Sequence, residues 1–428
     1  MKTLIRNGLV LPLTTKDALF EGDIAIDDGR IAALGADAAS FIPDKTIDAS
    51  GCIVMPAFVN AHTHLAMVLM RNYKDQGNLF QWLHEIFPIE DKLNKDDIYA
   101  ASVVGAAELI KSGTVLFADM YFHASETARA VYQAGIKANI GFTFFGDLAD
   151  SKKRLAERMP PLEKVLRNDG MIEVDPSPHA IYTTTAESYK FASALACDLG
   201  TRLNTHVSET RKEVEDSIKE YGKTPAMYLE SLGVFDASPT YIAHGVHLTD
   251  EELDMLSGKD TSIVHNPSSN CKLGSGIARI NEWRKHGINI AMGTDGASSN
   301  NNLNLLKELN LALMVNSVSC PDFEQRFTPF EMLRIATSGG ARALGRESEM
   351  GTIEKGKDAD LIIMDMNQAS TSPMNDPYSA IAFSSDRANI RDVLCCGKVL
   401  LENGKLTTID EQLAIGQINK AWKSIKER

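Results

Sequence analysis

A single rhythm in the middle of this chain restricts what it can fold into. Between residues 52 and 295, short apolar runs alternate with amphipathic stretches of helical period. The runs are CIVMPAFVNAH (52–62), GTVLFADMYF (113–122), KANIGFTFF (137–145), MIEVDPSPH (171–179), RLNTHV (202–207), TYIAHGV (240–246), TSIVHNP (261–267) and INIAMGTD (288–295). Runs of this kind suit strands buried on both faces, and helices between them suit parallel neighbours. Eight strand–helix units predict a (β/α)8 TIM-type barrel rather than an open sheet. DDIYAASVVGAAELIKSG (96–113) is one of the helices, with Asp96 or Asp97 predicted as its N-cap and Gly113 as its stop.

The ends of the chain follow a different period. DIAIDDGRIAALG (23–35) alternates around Asp28-Gly29, a two-residue hairpin signal, and VLCCGKVLLENGKL (393–406) does so around Asn403-Gly404. With DADLIIMD (358–365), these predict one β-domain assembled from both ends. A helix from Glu411 to Lys426 is expected to lie against it.

The predicted strands end in residues that bind metal or move protons. Strand one ends in His62-Thr63-His64, strand two in Asp119, strand four in His179, and strand five in His206 followed by Glu209. Strand six ends in His244, strand seven in His265 and strand eight in Asp295. Of the ten histidines, His84 and His286 alone fall away from strand ends and the loops after them. In a barrel those ends meet at one mouth, where catalytic residues from different strands converge. His62 and His64 are two apart, so a strand projects both from one face.

With His206 and Asp295 they form a set of three nitrogens and one carboxylate. That set suits a single Zn²⁺ and also admits Fe²⁺. Strand four offers no lysine for a second metal. A catalytic metal lowers the pKa of water from about 16 to about 7. Asp295 could then take a proton from the attacking oxygen, His244 could steady it, and Glu209 could reach the neighbouring substrate atom. The plainer readings are Glu209 as a helix first-turn acid and His244 as a satisfied core histidine. Asp119 and His265 stay open between site and loop support; His123 and His84 read as structural.

Composition narrows the partners. With 57 acidic and 44 basic side chains the chain carries a net charge of −13, which lacks the basic footprint of a nucleic-acid or anionic-membrane binder. The apolar fraction of 44 % and charged fraction of 24 % describe a globular chain, and its 428 residues suggest two to three domains, fewer where an α/β barrel takes a long stretch as one. No window approaches a membrane span, and the N-terminal run is too short for a secretory signal. Six irregularly spaced cysteines predict buried free thiols in a cytoplasmic protein. Phosphate loops, a GxGxxG fingerprint and a GxSxG elbow are absent.

Six segments together resemble a known family: PAFVNAHTHLAM (56–67), HVSET (206–210), AHGVHL (243–248), HNPSSNCKLGSGIA (265–278), GTDGASSNN (293–301) and GTIEKGKDADLIIMD (351–365). They are similar to the amidohydrolase superfamily, and within it to the 5-methylthioadenosine/S-adenosylhomocysteine deaminases. The resemblance implies a barrel over residues 57–350 and a small β-sandwich from residues 1–56 and 351–428. It implies His62, His64, His206 and Asp295 as metal ligands, Glu209 as proton donor to a purine ring nitrogen, and His244 as support for the nucleophile. Glu90, in PIEDKL (88–93), would accept from the ribose hydroxyls, which suits an ionised carboxylate. His179 would contact the base, and Trp82 would form an apolar wall.

Some members carry an arginine where Phe142 aligns here, while Arg154 matches a second one. Losing one bidentate partner for a carboxylate favours an apolar 5′-substituent beside Phe142. The implied substrates are then 5′-methylthioadenosine, adenosine or 5′-deoxyadenosine ahead of S-adenosylhomocysteine. The rivals are a hydrolase of a free guanine, pterin, cytosine or triazine, and a non-catalytic barrel that only binds. Segment 68–95, rich in Leu, Phe and Trp, is a candidate lid or homo-oligomer contact.

Overall fold

A computed structural model describes residues 1–428. The N-terminal strands are β1 (Thr3–Val10), β2 (Phe20–Asp27), β3 (Arg30–Leu34), β4 (Lys45–Asp48) and β5 (Cys52–Pro56). The central strands are β6 (Phe58–Thr63), β7 (Thr114–Tyr121), β8 (Lys137–Phe144), β9 (Ile172–Pro178), β10 (Leu203–Val207), β11 (Thr240–His244), β12 (Thr261–His265) and β13 (Asn289–Met292). The C-terminal strands are β14 (Leu361–Asp365), β15 (Ile390–Cys395), β16 (Lys398–Glu402) and β17 (Lys405–Leu406).

The central strands make two four-stranded parallel sheets, β6-β7-β8-β9 and β10-β11-β12-β13, with helices between strands in an α/β pattern. Their neighbouring edges meet at two seams. At one, the His206 N–H donates to the His179 carbonyl at 3.0 Å; at the other, the Asp295 N–H donates to the His62 carbonyl at 3.0 Å. Every residue of β6, β7 and β8 is buried, as strands covered on both faces require.

Both ends of the chain enter one nine-stranded sheet, ordered β17-β16-β15-β14-β5-β1-β2-β3 with β4 on β1. The joint between ends is the antiparallel pairing of β5 with β14, Pro56 opposite Leu361. Asp28 and Gly29 turn from β2 to β3 at φ 47° and 79°, the left-handed pair that a tight hairpin demands. Ile5, Ile24, Val54, Leu361 and Leu394 belong to an apolar cluster of 13 buried residues, separate from the large central core. The chain passes from this sheet to the central ones across Ala57 alone, between β5 and β6.

Three local expectations are corrected. Helix α1 (Leu79–Glu90) precedes α2 (Lys95–Lys111), and α2 is capped by Asn94 rather than by Asp96 or Asp97. The Asn94 side chain accepts from the Asp96 and Asp97 N–H groups, while Asp97 returns to the Asn94 N–H as the acid of a capping box. The tail helix (Glu411–Glu427) lies along α2 rather than against the terminal sheet. Lys111 meets Glu411 at one end and Arg428 meets Asp97 at the other, so the two helices run antiparallel. All six cysteines are free, but Cys197 and Cys271 are exposed. No helix is long and apolar enough to cross a membrane.

Candidate active site

The seams hold the chemistry. His62 ends β6 opposite Asp295 across one seam, and His179 follows β9 opposite His206 across the other. His64 continues from β6. Its Nδ1 lies 2.5 Å from the Met120 carbonyl, and His206 Nδ1 lies 2.8 Å from that of His179. A carbonyl only accepts, so both imidazoles carry their proton on Nδ1. Their Nε2 atoms face one another at 3.3 Å, where each ring, when neutral, presents a lone pair. His62 is fully buried, and neither of its ring nitrogens has a hydrogen-bond partner.

Asp295 brings an oxygen to the same point, 3.2 Å from His64 Nε2 and 3.6 Å from His62 Nε2. Its other oxygen accepts from the Ser269 and Ser299 hydroxyls at 2.5 and 2.8 Å. Lone pairs aimed at one another inside a protein call for a cation between them. Three imidazoles and a carboxylate are the donors a divalent ion of borderline softness takes, so these residues fit such a group. The hydrogen bonds from Nδ1 fix ring orientation in the way that metal-binding histidines need.

Two further groups face the cluster. Glu209 follows β10, with its Oε1 accepting from the Ser275 hydroxyl at 3.1 Å and Oε2 lying 3.7 Å from His244 Nε2. Burial pushes its carboxyl above the ordinary range, partly offset by His244. His244 Nδ1 is 2.8 Å from Asn270 Oδ1, which leaves Nε2 for the cavity. His244 and Asp295 sit at φ 76° and 60°, left-handed conformations that cost a non-glycine residue on the order of 1–3 kcal/mol. Strain of this kind is held where the surrounding structure needs a side chain aimed.

A cleft with about 560 Å³ of free space, its opening to solvent included, rises from the cluster. His64, His206, Asp295, Glu209, His244 and His179 line its base. His179 donates from Nδ1 to Thr183 at 2.8 Å, and burial pulls its pKa down to about 3, so it is neutral. The opposite wall comes from α1, which presents Leu79, Trp82, Leu83, Phe87 and Glu90. Segment 68–95 thus contributes a wall. Glu90 accepts from the Tyr121 hydroxyl at 2.7 Å, and burial pushes its pKa up to about 7.

Some predicted residues lie elsewhere. Phe142 does not line the cleft. Strand side chains alternate, and β8 sends Phe142 and Phe144 outward, where Phe144 meets Phe191 of the helix layer, while Thr143 and Phe145 face the cleft. Arg154 is also outside it, its guanidinium 5.3 Å from the Phe145 ring, whose stacking on His179 at 4.8 Å forms the wall between. His265 turns to Trp283, with ring centroids 6.0 Å apart. Asp119 accepts from the Leu65 N–H at 2.7 Å beneath the cluster. His123 precedes a helix and contacts Arg158, and His84 is exposed on α1.

The sequence reading missed Tyr121, Phe122, Phe145, Tyr182 and Ser275, all of which reach the cleft or Glu209. Period-two alternation from Thr143 would have found Phe145. Ser275 stands within a segment already singled out.

Residues 53–400 match the model of the amidohydrolase family. A 5-methylthioadenosine/S-adenosylhomocysteine deaminase from Acetivibrio thermocellus is 40 % identical over 421 residues, 96 % of each chain. A 5′-deoxyadenosine deaminase from Methanobrevibacter smithii is 40 % identical over 430 residues, covering 99 % of this chain and 98 % of that one. Among solved structures, an adenosine deaminase from Xanthomonas campestris with bound zinc superposes with a TM-score of 0.94 at 30 % identity, covering 100 % of this chain and 99 % of that one.

Proposed function

We propose that this chain, which belongs to the amidohydrolase family, hydrolyses the C6–amino bond of an adenine nucleoside and releases ammonia. One observation carries the reading: a carboxylic acid, Glu209, stands beside a cluster of lone pairs fit for a cation, in a cleft whose far wall holds Glu90. The finer architecture follows the same reading. The two parallel sheets close at their seams into one eight-stranded barrel over residues 57–350, and the terminal sheet folds over its own core as a sandwich of residues 1–56 and 351–428.

His62, His64, His206 and Asp295 would hold the divalent ion, with Zn²⁺ the first choice for this donor set and Fe²⁺ the second. When bound, such an ion supplies Lewis acidity and a water acidic enough to attack at neutral pH. Asp295 takes a proton from the attacking oxygen. His244 holds that oxygen with Nε2, its own Nδ1 proton committed to Asn270. Glu209 gives its proton to ring N1 as C6 becomes tetrahedral; now ionised, it takes the hydroxyl proton of the adduct and passes it to the departing amine, and the proton held by Asp295 restores the acid form of Glu209. Its raised pKa suits a group that must both carry and return a proton near neutrality.

Glu90 orients the ribose by accepting from its 2′- and 3′-hydroxyls, and His179 meets the base. The cleft wall has no lysine or arginine, while Trp82, Phe87, Phe122 and Phe145 are apolar. That wall suits a 5′-methylthio or 5′-deoxy group better than the zwitterionic tail of S-adenosylhomocysteine, because Arg154 lies behind Phe145. Zinc-loaded protein is expected to release ammonia from 5′-methylthioadenosine and 5′-deoxyadenosine faster than from S-adenosylhomocysteine. No ammonia from any adenine nucleoside would overturn the activity; equal turnover of free adenine would overturn the role of Glu90.

A further inference from the structure

Helix α3 (Arg211–Tyr221) starts unlike its neighbours. Helices capped by Asn94, Asp147, Thr249 and Thr328 close ordinary boxes, in which the third residue's carboxylate returns to the cap's own N–H. Thr210 caps α3 by accepting from the Glu213 N–H at 3.1 Å, but Glu213 does not return to Thr210. Its carboxylate reaches further back. Oε1 accepts from the Ser208 N–H at 2.9 Å and Oε2 from the Glu209 N–H at 2.7 Å.

Both of those N–H groups belong to buried residues, and Ser208 stands at φ 51°. A serine held left-handed is costly and needs an external clamp. Glu213 is 2 % exposed, and burial followed by the neighbouring Glu209 charge pushes its carboxyl up to about 7. A helix start alone does not repay that, since Thr210 already caps it.

We propose that Glu213 is the positioning residue for Glu209. Its two oxygens lock the Ser208–Glu209 backbone in the turn that delivers the Glu209 carboxyl to Ser275, to His244 and into the cleft. It touches no substrate, and it rests on the reading of Glu209 as the proton carrier.

The test is a double-mutant cycle in the zinc-loaded full chain, with 5′-methylthioadenosine as substrate and kcat, KM and bound zinc as readouts. Glu209→Gln should lower kcat by about 1000-fold. Glu213→Gln replaces one acceptor with an amide donor facing an N–H, and should lower kcat by about 100-fold with KM and zinc content nearly unchanged. Because Glu213 acts through Glu209, the double variant should be no slower than Glu209→Gln alone. Additive losses in the cycle, or wild-type kcat in Glu213→Gln, would overturn the proposal alone. Wild-type kcat in Glu209→Gln would overturn the reading of Glu209 and the proposal with it. Should Glu213→Gln not fold, Glu213→Asp keeps the charge but is one methylene short of both N–H groups. It should lose about 10-fold in kcat through the same cycle, and a wild-type value there overturns the clamp.

Discussion

Two buried clusters of charge stand at opposite ends of the parallel strands, and they are built on opposite principles. At the start of β8, Lys137 donates to Asp358 at 2.6 Å and to Asp360 at 2.8 Å. Asp360 also accepts from the Cys396 N–H, and Arg30 stands by Asp358. Every charge there has an answer within the chain. Although burial opposes it, the Asp360 carboxylate holds the Lys137 ammonium protonated. At the C-terminal ends of the strands, His62 has two unanswered nitrogens, and His64 and His206 turn lone pairs towards each other. The first cluster ties the terminal sheet to the central strands. The second leaves both ring nitrogens of His62 without a partner in the chain. Buried polarity is thus no sign of function; what sets the second cluster apart is that several ring nitrogens and a carboxylate converge on one point.

Substitution at each cluster should separate the two principles. His62→Ala is expected to lower deamination by at least about 1000-fold, the loss of several kcal/mol of transition-state stabilisation. In metal-free protein it should barely change the denaturation midpoint, because the cavity it leaves is offset by the relief of two unpaired buried nitrogens. Metal content by elemental analysis and urea unfolding check both halves. A large loss of metal-free stability would mean that the cluster is already satisfied without an ion. Lys137→Met should do the reverse, costing about 3–5 kcal/mol in urea unfolding, since two carboxylates lose their buried cation. The kcat of the folded fraction should stay at the wild-type value. A Lys137→Met protein of unchanged stability would erase the contrast.

The two clusters differed as much in how visible they were in the sequence. Apolar runs and their polar last residues are local signals, so the central strands and the meeting of His62, His64, His206 and Asp295 could be anticipated from spacing. Lys137, Asp358 and Asp360 meet across 221 and 223 residues, and no local pattern marks them. Phe142 failed for a different reason. A strand position displaced by one residue changes face, so an alignment good to a residue or two cannot choose between Phe142 and the cleft-lining Thr143. Asn94 caps the helix from outside, whereas the acidic pair Asp96-Asp97 that marks a helix start in the sequence lies within its first turn. The docking of the tail helix on α2 depended on the Arg428–Asp97 and Glu411–Lys111 pairs, which the helix pattern alone does not reveal.

Glu90 lies between the two extremes and sharpens the contrast by its pH response. It has one partner, the Tyr121 hydroxyl, and burial pushes its pKa up to about 7 against an ordinary 4.5. Between those two values the folded chain keeps a proton on Glu90 that the unfolded chain has released. Stability from this group therefore falls as pH rises from about 4.5 to about 7, by up to about 3 kcal/mol. Glu90→Gln, which carries no charge at any pH, escapes the fall. In metal-free protein, the stability difference between Glu90→Gln and wild type should favour the variant increasingly across that window and level off above it. On the proposed reading, in which two ribose hydroxyls would answer the ionised carboxylate, turnover should move the other way. Glu90→Gln should therefore raise KM for 5′-methylthioadenosine by about 10-fold or more, the worth of a hydrogen bond to a charged group. A pH-independent stability difference would place Glu90 with Lys137, among the charges the chain already satisfies for itself.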